Sequence, residues 1–152
     1  MKNMFLLLAI TFIISGCAAT SQPKCNIHVI NLMQKKNIYL PDTSANGLDN
    51  YLRNSKDWTR LPRKDGRLDH KTAYAAAKSG KTVLAAYNSG AQKSGHIVEI
   101  YGSRPMRWSK SFNAYVPYSS GSVNGKKARV TPLSDQFGAD KEPKMNYYVY
   151  KK

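Results

Sequence analysis

Cysteine is scarce in this chain: of 152 residues only Cys17 and Cys25 carry a thiol. At most one disulfide can form, and the missing Cys-x-x-Cys pair removes the usual signature of a structural zinc site. Histidine is limited to His28, His70 and His96. Acidic residues number 9 against 24 lysines and arginines, giving a formal charge of +15 and a pI near 9.9. So few carboxylates leave little to neutralise the field, which favours polyanions: nucleic acid, anionic lipid heads or an acidic cell wall. The basic residues are scattered ("RKDGR", "KSGK", "NGKKAR") rather than gathered into one arm. A generally basic protein that clings to anionic surfaces is the plain reading of the charge. Internal repeats and low-complexity segments are also absent.

What is there begins with "MKNMFLLLAITFIISGC". Lys2 precedes an apolar core that falls short of the roughly 20 residues a membrane span needs, and Ser15 and Gly16 follow it. Residues 1–16 are therefore expected to be a secretory signal, which makes nucleic acid the least expected polyanion. Ile14-Ser15-Gly16-Cys17 resembles the lipobox of bacterial lipoproteins, and the resemblance implies a diacylglycerol on the Cys17 sulfur. Ordinary cleavage near "CAA" is the alternative. Residues 17–24 read as the lipidated cysteine and a short polar tether. Ala18 lacks the acidic character associated with inner-membrane retention, so the expected location is the bacterial envelope, at the outer membrane facing the periplasm. Acylation of Cys17 would leave Cys25 unpaired, whereas a Cys17–Cys25 disulfide would close a loop too small to stabilise much.

Residues 25–152 suffice for one domain with a real core. Dense apolar positions in residues 26–36 predict a helix buried on most sides, with Cys25 at its N-terminal end. "NGLDNYLRN" predicts a second helix, and "HKTAYAAAKS" a third, capped by Asp69 and ended by Gly80. Strands are expected at residues 82–87, 95–102 and 106–116, the last two paired as a hairpin, and at "KARVTPL" and "MNYYVYK". Helices first and an antiparallel sheet after them make an α+β fold.

A thiol at a helix N-terminus meets dipoles and free N–H groups that favour its anion and that could also receive an oxyanion. A base must come from a histidine. His96, opening a strand after "SGAQKSG", is the better candidate for a Cys–His pair than His28, one turn beyond Cys25. A buried inert thiol remains the alternative for Cys25. A zinc site of Cys25, His28 and His96 lacks a fourth ligand. Glu99 stands on the opposite strand face from His96, and Asp49, Asp57 and Asp69 read as caps or solvated positions.

"KCNIHVINLM" followed later by "SGHIVEIYG" resembles the papain-fold peptidoglycan amidases and peptidases, the CHAP and NlpC-like group. "SANGLDNYL" and "AYAAAKSGKTVLAAYN" resemble that group's intermediate pieces, so the likeness runs from Cys25 through the rest of the chain. It implies a papain-like fold with N-terminal helices on a small antiparallel sheet, Cys25 as nucleophile, His96 as general base and then acid, cleavage of an amide in the peptide stem, and neither metal nor cofactor. A third polar residue is expected on the strand after the histidine. Ser109 is the choice there, sharing a face with Ser111 and Asn113, although a serine orients an imidazole less well than a carboxylate. His28 stands where the group more often has an aromatic ring; it either fills space beside the site or binds a substrate carboxylate. Among the aromatic residues, Trp58 and Tyr118 are candidates for a substrate groove. Peptidoglycan is the expected partner of a monomer, with other anionic envelope polymers as further partners and nucleic acid as none. A non-catalytic wall-binding lipoprotein of the same fold is the alternative.

Overall fold

The computed structural model describes residues 25–90, 94–122 and 127–152. Cys17, the signal segment and the tether lie outside the described residues. The described chain is α+β, with a six-stranded antiparallel sheet and helices on both of its faces.

Helix α1 (Cys25–Lys35) buries Val29, Ile30 and Met33, a stripe worth roughly 2 kcal/mol per side chain. Its other side, with Ile27 40 % exposed and Asn31 and Gln34 in water, corrects the expectation of a helix buried on most sides. Helix α2 (Ala45–Asn54) starts where the Ser44 hydroxyl accepts the Gly47 N–H at 3.1 Å. Helix α3 (His70–Lys78) starts at Asp69, whose carboxylate accepts from the Thr72 amide at 3.0 Å and the Thr72 hydroxyl at 2.7 Å. The chain leaves α3 through Gly80 at φ +90°, a conformation glycine adopts without a Cβ penalty.

The strands are β1 (Trp58–Arg60), β2 (Val83–Tyr87), β3 (His96–Tyr101), β6 (Tyr118–Gly121), β7 (Arg129–Pro132) and β8 (Met145–Tyr150), ordered β1-β8-β2-β3-β6-β7. "VLAA" and "YYV" are continuous apolar runs because both sheet faces are covered. Leu84, Ala86, Ile97 and Tyr148 pack under α1 and α2, while Val83, Ala85, Val98, Ile100, Tyr147 and Val149 pack on the opposite side around Ala73 of α3. Trp58 belongs to the first of these cores, 4 % exposed and tilted against Tyr150 at 5.1 Å, so it lines no groove.

The stretch expected as one strand at residues 106–116 is itself a hairpin, β4 (Arg107–Ser109) with β5 (Ala114–Val116), separate from the main sheet. β3 pairs instead with β2 and β6. The break falls at "KSFN", where Asn113 takes φ +46° and the buried Ser109 hydroxyl accepts the Phe112 N–H at 3.3 Å. Helix α4 (Leu133–Gln136) and a 3₁₀ turn, Ala139–Lys144, join β7 to β8.

Candidate active site

Cys25 is the first described residue and opens α1. Three residues later on the same helix face, the ring Nε2 of His28 lies 2.9 Å from Ser120 Oγ on β6 and seats this turn on the sheet. The register of β6 on β3 ends at Glu99↔Ser120. Beyond it the half-buried Cys25 thiol meets the start of β3, its S–H donating to the Gly95 carbonyl at 4.0 Å. Burial pushes this thiol above its ordinary pKa, and the amides of Ile97, Asn26 and Cys25 itself pull it partly back. The acidifying effect expected of a helix N-terminus is thus present as N–H groups turned to the sulfur, but desolvation outweighs it. Those N–H groups are a ready cradle for negative charge on a neighbouring atom.

His96 lies between Gly95 and Ile97, the two residues whose backbone the sulfur meets. Its imidazole leans toward α4, stacked edge-on against Phe137 at 4.8 Å between ring centres. Its Nε2 is 3.4 Å from Gln136 Oε1. The orientation of that amide follows from its other end, where Gln136 Nε2 donates to Thr131 Oγ1 at 3.0 Å and to the Arg129 carbonyl at 3.5 Å. A carbonyl only accepts, so Gln136 presents oxygen to the ring and His96 Nε2 carries the proton. Nδ1 is left with its lone pair, the form a general base requires. Burial lowers the His96 pKa to about 4, with the Gln136 hydrogen bond opposing that shift and Lys141 adding to it. The ring is neutral near pH 7. Among the described residues no hydrogen bond joins sulfur and imidazole; the sulfur meets the backbone of Gly95 and Ile97, the residues on either side of His96.

Two close approaches fix this geometry. A Cβ on Gly121 would stand 2.5 Å from Val98 Cγ1 and 2.9 Å from Gln136 Oε1, so only glycine leaves room for the amide. One on Gly95 would stand 2.2 Å from Asn46 Oδ1 and 2.6 Å from the Tyr87 carbonyl. Asn46, in the first turn of α2, accepts the Ser89 N–H at 3.1 Å and donates to the Gly90 carbonyl at 2.7 Å, tying down the chain that leads toward His96.

The remaining sequence candidates sit elsewhere. Ser109 is a correction: its hydroxyl serves the β4–β5 turn with Ser111 and Phe112, and the residue at His96 is Gln136. Gln136 was hidden in "LSDQF", a neutral amide with no titratable or ligand-spacing signal. His28 is engaged by Ser120, and burial lowers its pKa while Glu99 raises it and Lys35 lowers it further. Tyr118 is half-buried with the Arg104 guanidinium 5.3 Å from its ring centre. Asp49, expected as a cap or in solvent, is fully buried and accepts from Tyr148 Oη at 2.7 Å and Arg53 Nη2 at 2.8 Å. His70 opens α3 and is buried there with Nδ1 2.7 Å from Tyr147 Oη, far in role from the thiol. No group of three or more metal-ligating side chains occurs among the described residues. Compared with protein-family models and with curated proteins, the chain finds no match.

Proposed function

We propose that this protein is a cysteine amidase or peptidase of papain-like, NlpC/CHAP-type architecture that acts on peptidoglycan from a lipid anchor at Cys17. The observation that carries the reading is the junction of helix and strand, where a thiol at the first residue of α1 meets the backbone around a histidine whose Nε2 is held by an amide oxygen.

The chemistry is acyl transfer. His96 Nδ1 takes the thiol proton as the Cys25 sulfur bonds to the stem-peptide carbonyl carbon, and the N–H groups of Ile97, Asn26 and Cys25 receive the oxyanion. The intermediate collapses with rupture of the C–N bond, and the imidazolium returns its proton to the leaving amine. Water then attacks the thioester, His96 takes its proton, and the C–S bond breaks to restore the thiol while releasing the acid. Because the thiol is raised and the imidazole lowered, the resting pair is neutral, and proton transfer accompanies attack rather than preceding it. Export through the signal segment and the +15 charge favour an anionic wall as substrate, reached as a monomer in the outer-membrane periplasmic face, with other envelope polyanions as secondary partners.

The test is digestion of purified sacculi by wild type and by Cys25→Ala, with products read by mass. Wild type is expected to release muropeptides that the variant does not. Equal profiles would remove the enzyme and leave a non-catalytic wall-binding lipoprotein, the reading favoured by the raised thiol pKa.

A further inference from the structure

The β4–β5 hairpin projects two aromatic rings into water. Trp108 is 49 % exposed and Tyr115 56 % exposed. They stand directly opposite each other across the hairpin and meet edge to face, 5.3 Å between centres and 69° between planes. This geometry props one ring against the other and leaves a flat aromatic face open. The hairpin does not depend on them for attachment, since Ser109, Phe112 and Val116 bury its other side. Around the pair along the chain stand exposed Arg107, Lys110, Ser111 and Asn113, cations and hydrogen-bonding side chains without an aliphatic residue among them. Trp, Tyr and cations also occur at membrane interfaces, but there a neighbouring aliphatic side chain enters the lipid, and the exposed large hydrophobic residues of this hairpin are the two rings alone. A ring with C–H groups on its face and hydroxyl, acetamide or carboxylate groups at its edge matches what is here.

We infer that the β4–β5 hairpin is a saccharide-binding surface, on which a sugar of an anionic glycan stacks against the Trp108–Tyr115 pair while Arg107 and Lys110 attract its carboxylates. The choice of glycan rests on the wall-acting reading above. The surface would hold the glycan strand while the thiol addresses the stem, two contacts on one polymer. Sequence reasoning sought sugar contacts at Trp58 and Tyr118; the exposed rings of this hairpin are neither of those.

The probe is peptidoglycan glycan strands with the stem peptides removed, which keep lactyl carboxylates and offer no amide of the stem to cleave. They are titrated against the full chain carrying Cys25→Ala. Of the two tryptophans, Trp58 is buried, so a change in tryptophan emission reports Trp108. An emission shift in the Trp108-bearing chain is expected, together with binding, read independently by calorimetry, that Trp108→Ala weakens about tenfold or more and Trp108→Tyr restores. Arg107→Gln with Lys110→Gln should weaken binding and flatten its salt dependence. Unaltered binding in a folded Trp108→Ala protein overturns the inference, as does an absence of binding by the Cys25→Ala chain. Binding to anionic vesicles with the same Trp108 dependence also overturns it, in favour of a lipid surface. Release of stems from soluble muropeptides by the Trp108→Ala chain separates this outcome from the catalytic reading, which stands or falls with Cys25.

Discussion

Gln136 has no charge to offer His96, and its effect is one of direction. Replacing it with alanine frees the ring and unfixes the tautomer, which should lower kcat on the order of 10- to 100-fold with KM little changed, read by steady-state kinetics on a muropeptide. Gly121→Ala should resemble it, because the new methyl takes the space of the amide oxygen. The pH profile supplies a finer measurement. A base with pKa about 4 is protonated and lost only as pH falls below that value, so the acidic limb of kcat/KM should lie near 4 rather than near the ordinary imidazole range. Gln136→Glu places a carboxylate beside the ring, favours imidazolium and should move that limb upward; an unmoved limb would show that another group is the base. The positions of Cys25 at a helix start and of His96 at a strand start were legible in the sequence, because the apolar runs that follow them mark the two elements. Gln136 and Gly121 were not, since an amide and a glycine acquire their roles only when α4 and β6 are brought together. Ser109 failed by pairing: residues 106–116 were taken as one strand beside the one that carries His96, whereas they fold back into a hairpin separate from the main sheet.

Elements capped by local chemistry were the readable ones. α3 begins at Asp69 and ends at Gly80 as the residue types dictate, and Asp69→Ala should cost about 1 kcal/mol in a urea titration. Asp49 stands on a helix of the same length class and looked equally local, yet its carboxylate is turned inward to Tyr148 of β8 and to Arg53. Asp49→Ala leaves a buried phenol without its acceptor and should cost about 3 kcal/mol, several times the cap, by the same titration. A cost equal to that of Asp69→Ala would place Asp49 among the dispensable surface charges. The difference between these two aspartates could not be read from sequence, because the i,i+4 pairing with Arg53 is a surface pattern and only the partner strand reveals the burial. The β4–β5 hairpin was missed for a related reason: its turn has neither Gly nor Pro and depends on Asn113 in the left-handed region, the Ser109 hydroxyl and the Arg67 guanidinium on the Phe112 carbonyl.

At the scale of the molecule, the buried His70 and the half-buried His96 couple stability to acid. Burial lowers His70 and His96 to about 4 in the folded chain, and among the described residues His70 Nε2 has no hydrogen-bond partner to welcome a proton. Between the ordinary value near 6.5 and about 4 the unfolded chain binds protons that the folded one refuses. Stability is therefore full above about pH 6.5 and falls with pH through that window, by on the order of 2–3 kcal/mol per histidine. A His70→Phe, His96→Phe double variant should show a flatter urea midpoint between pH 7 and pH 4.5; an unchanged slope would assign the loss to carboxylates. The α+β class was legible because the order of helical and apolar stretches survives any error in register, while the sheet order was not. β8 is the last strand in sequence and yet lies between β1 and β2, with Trp58 opposite Tyr150 and Val83 opposite Val149. A polypeptide delivered N-terminus first therefore keeps its first strand waiting for its last. The core beneath α1 and α2, in which Tyr148 of β8 packs with Leu84 and Leu48, is complete only once the final residues have been delivered.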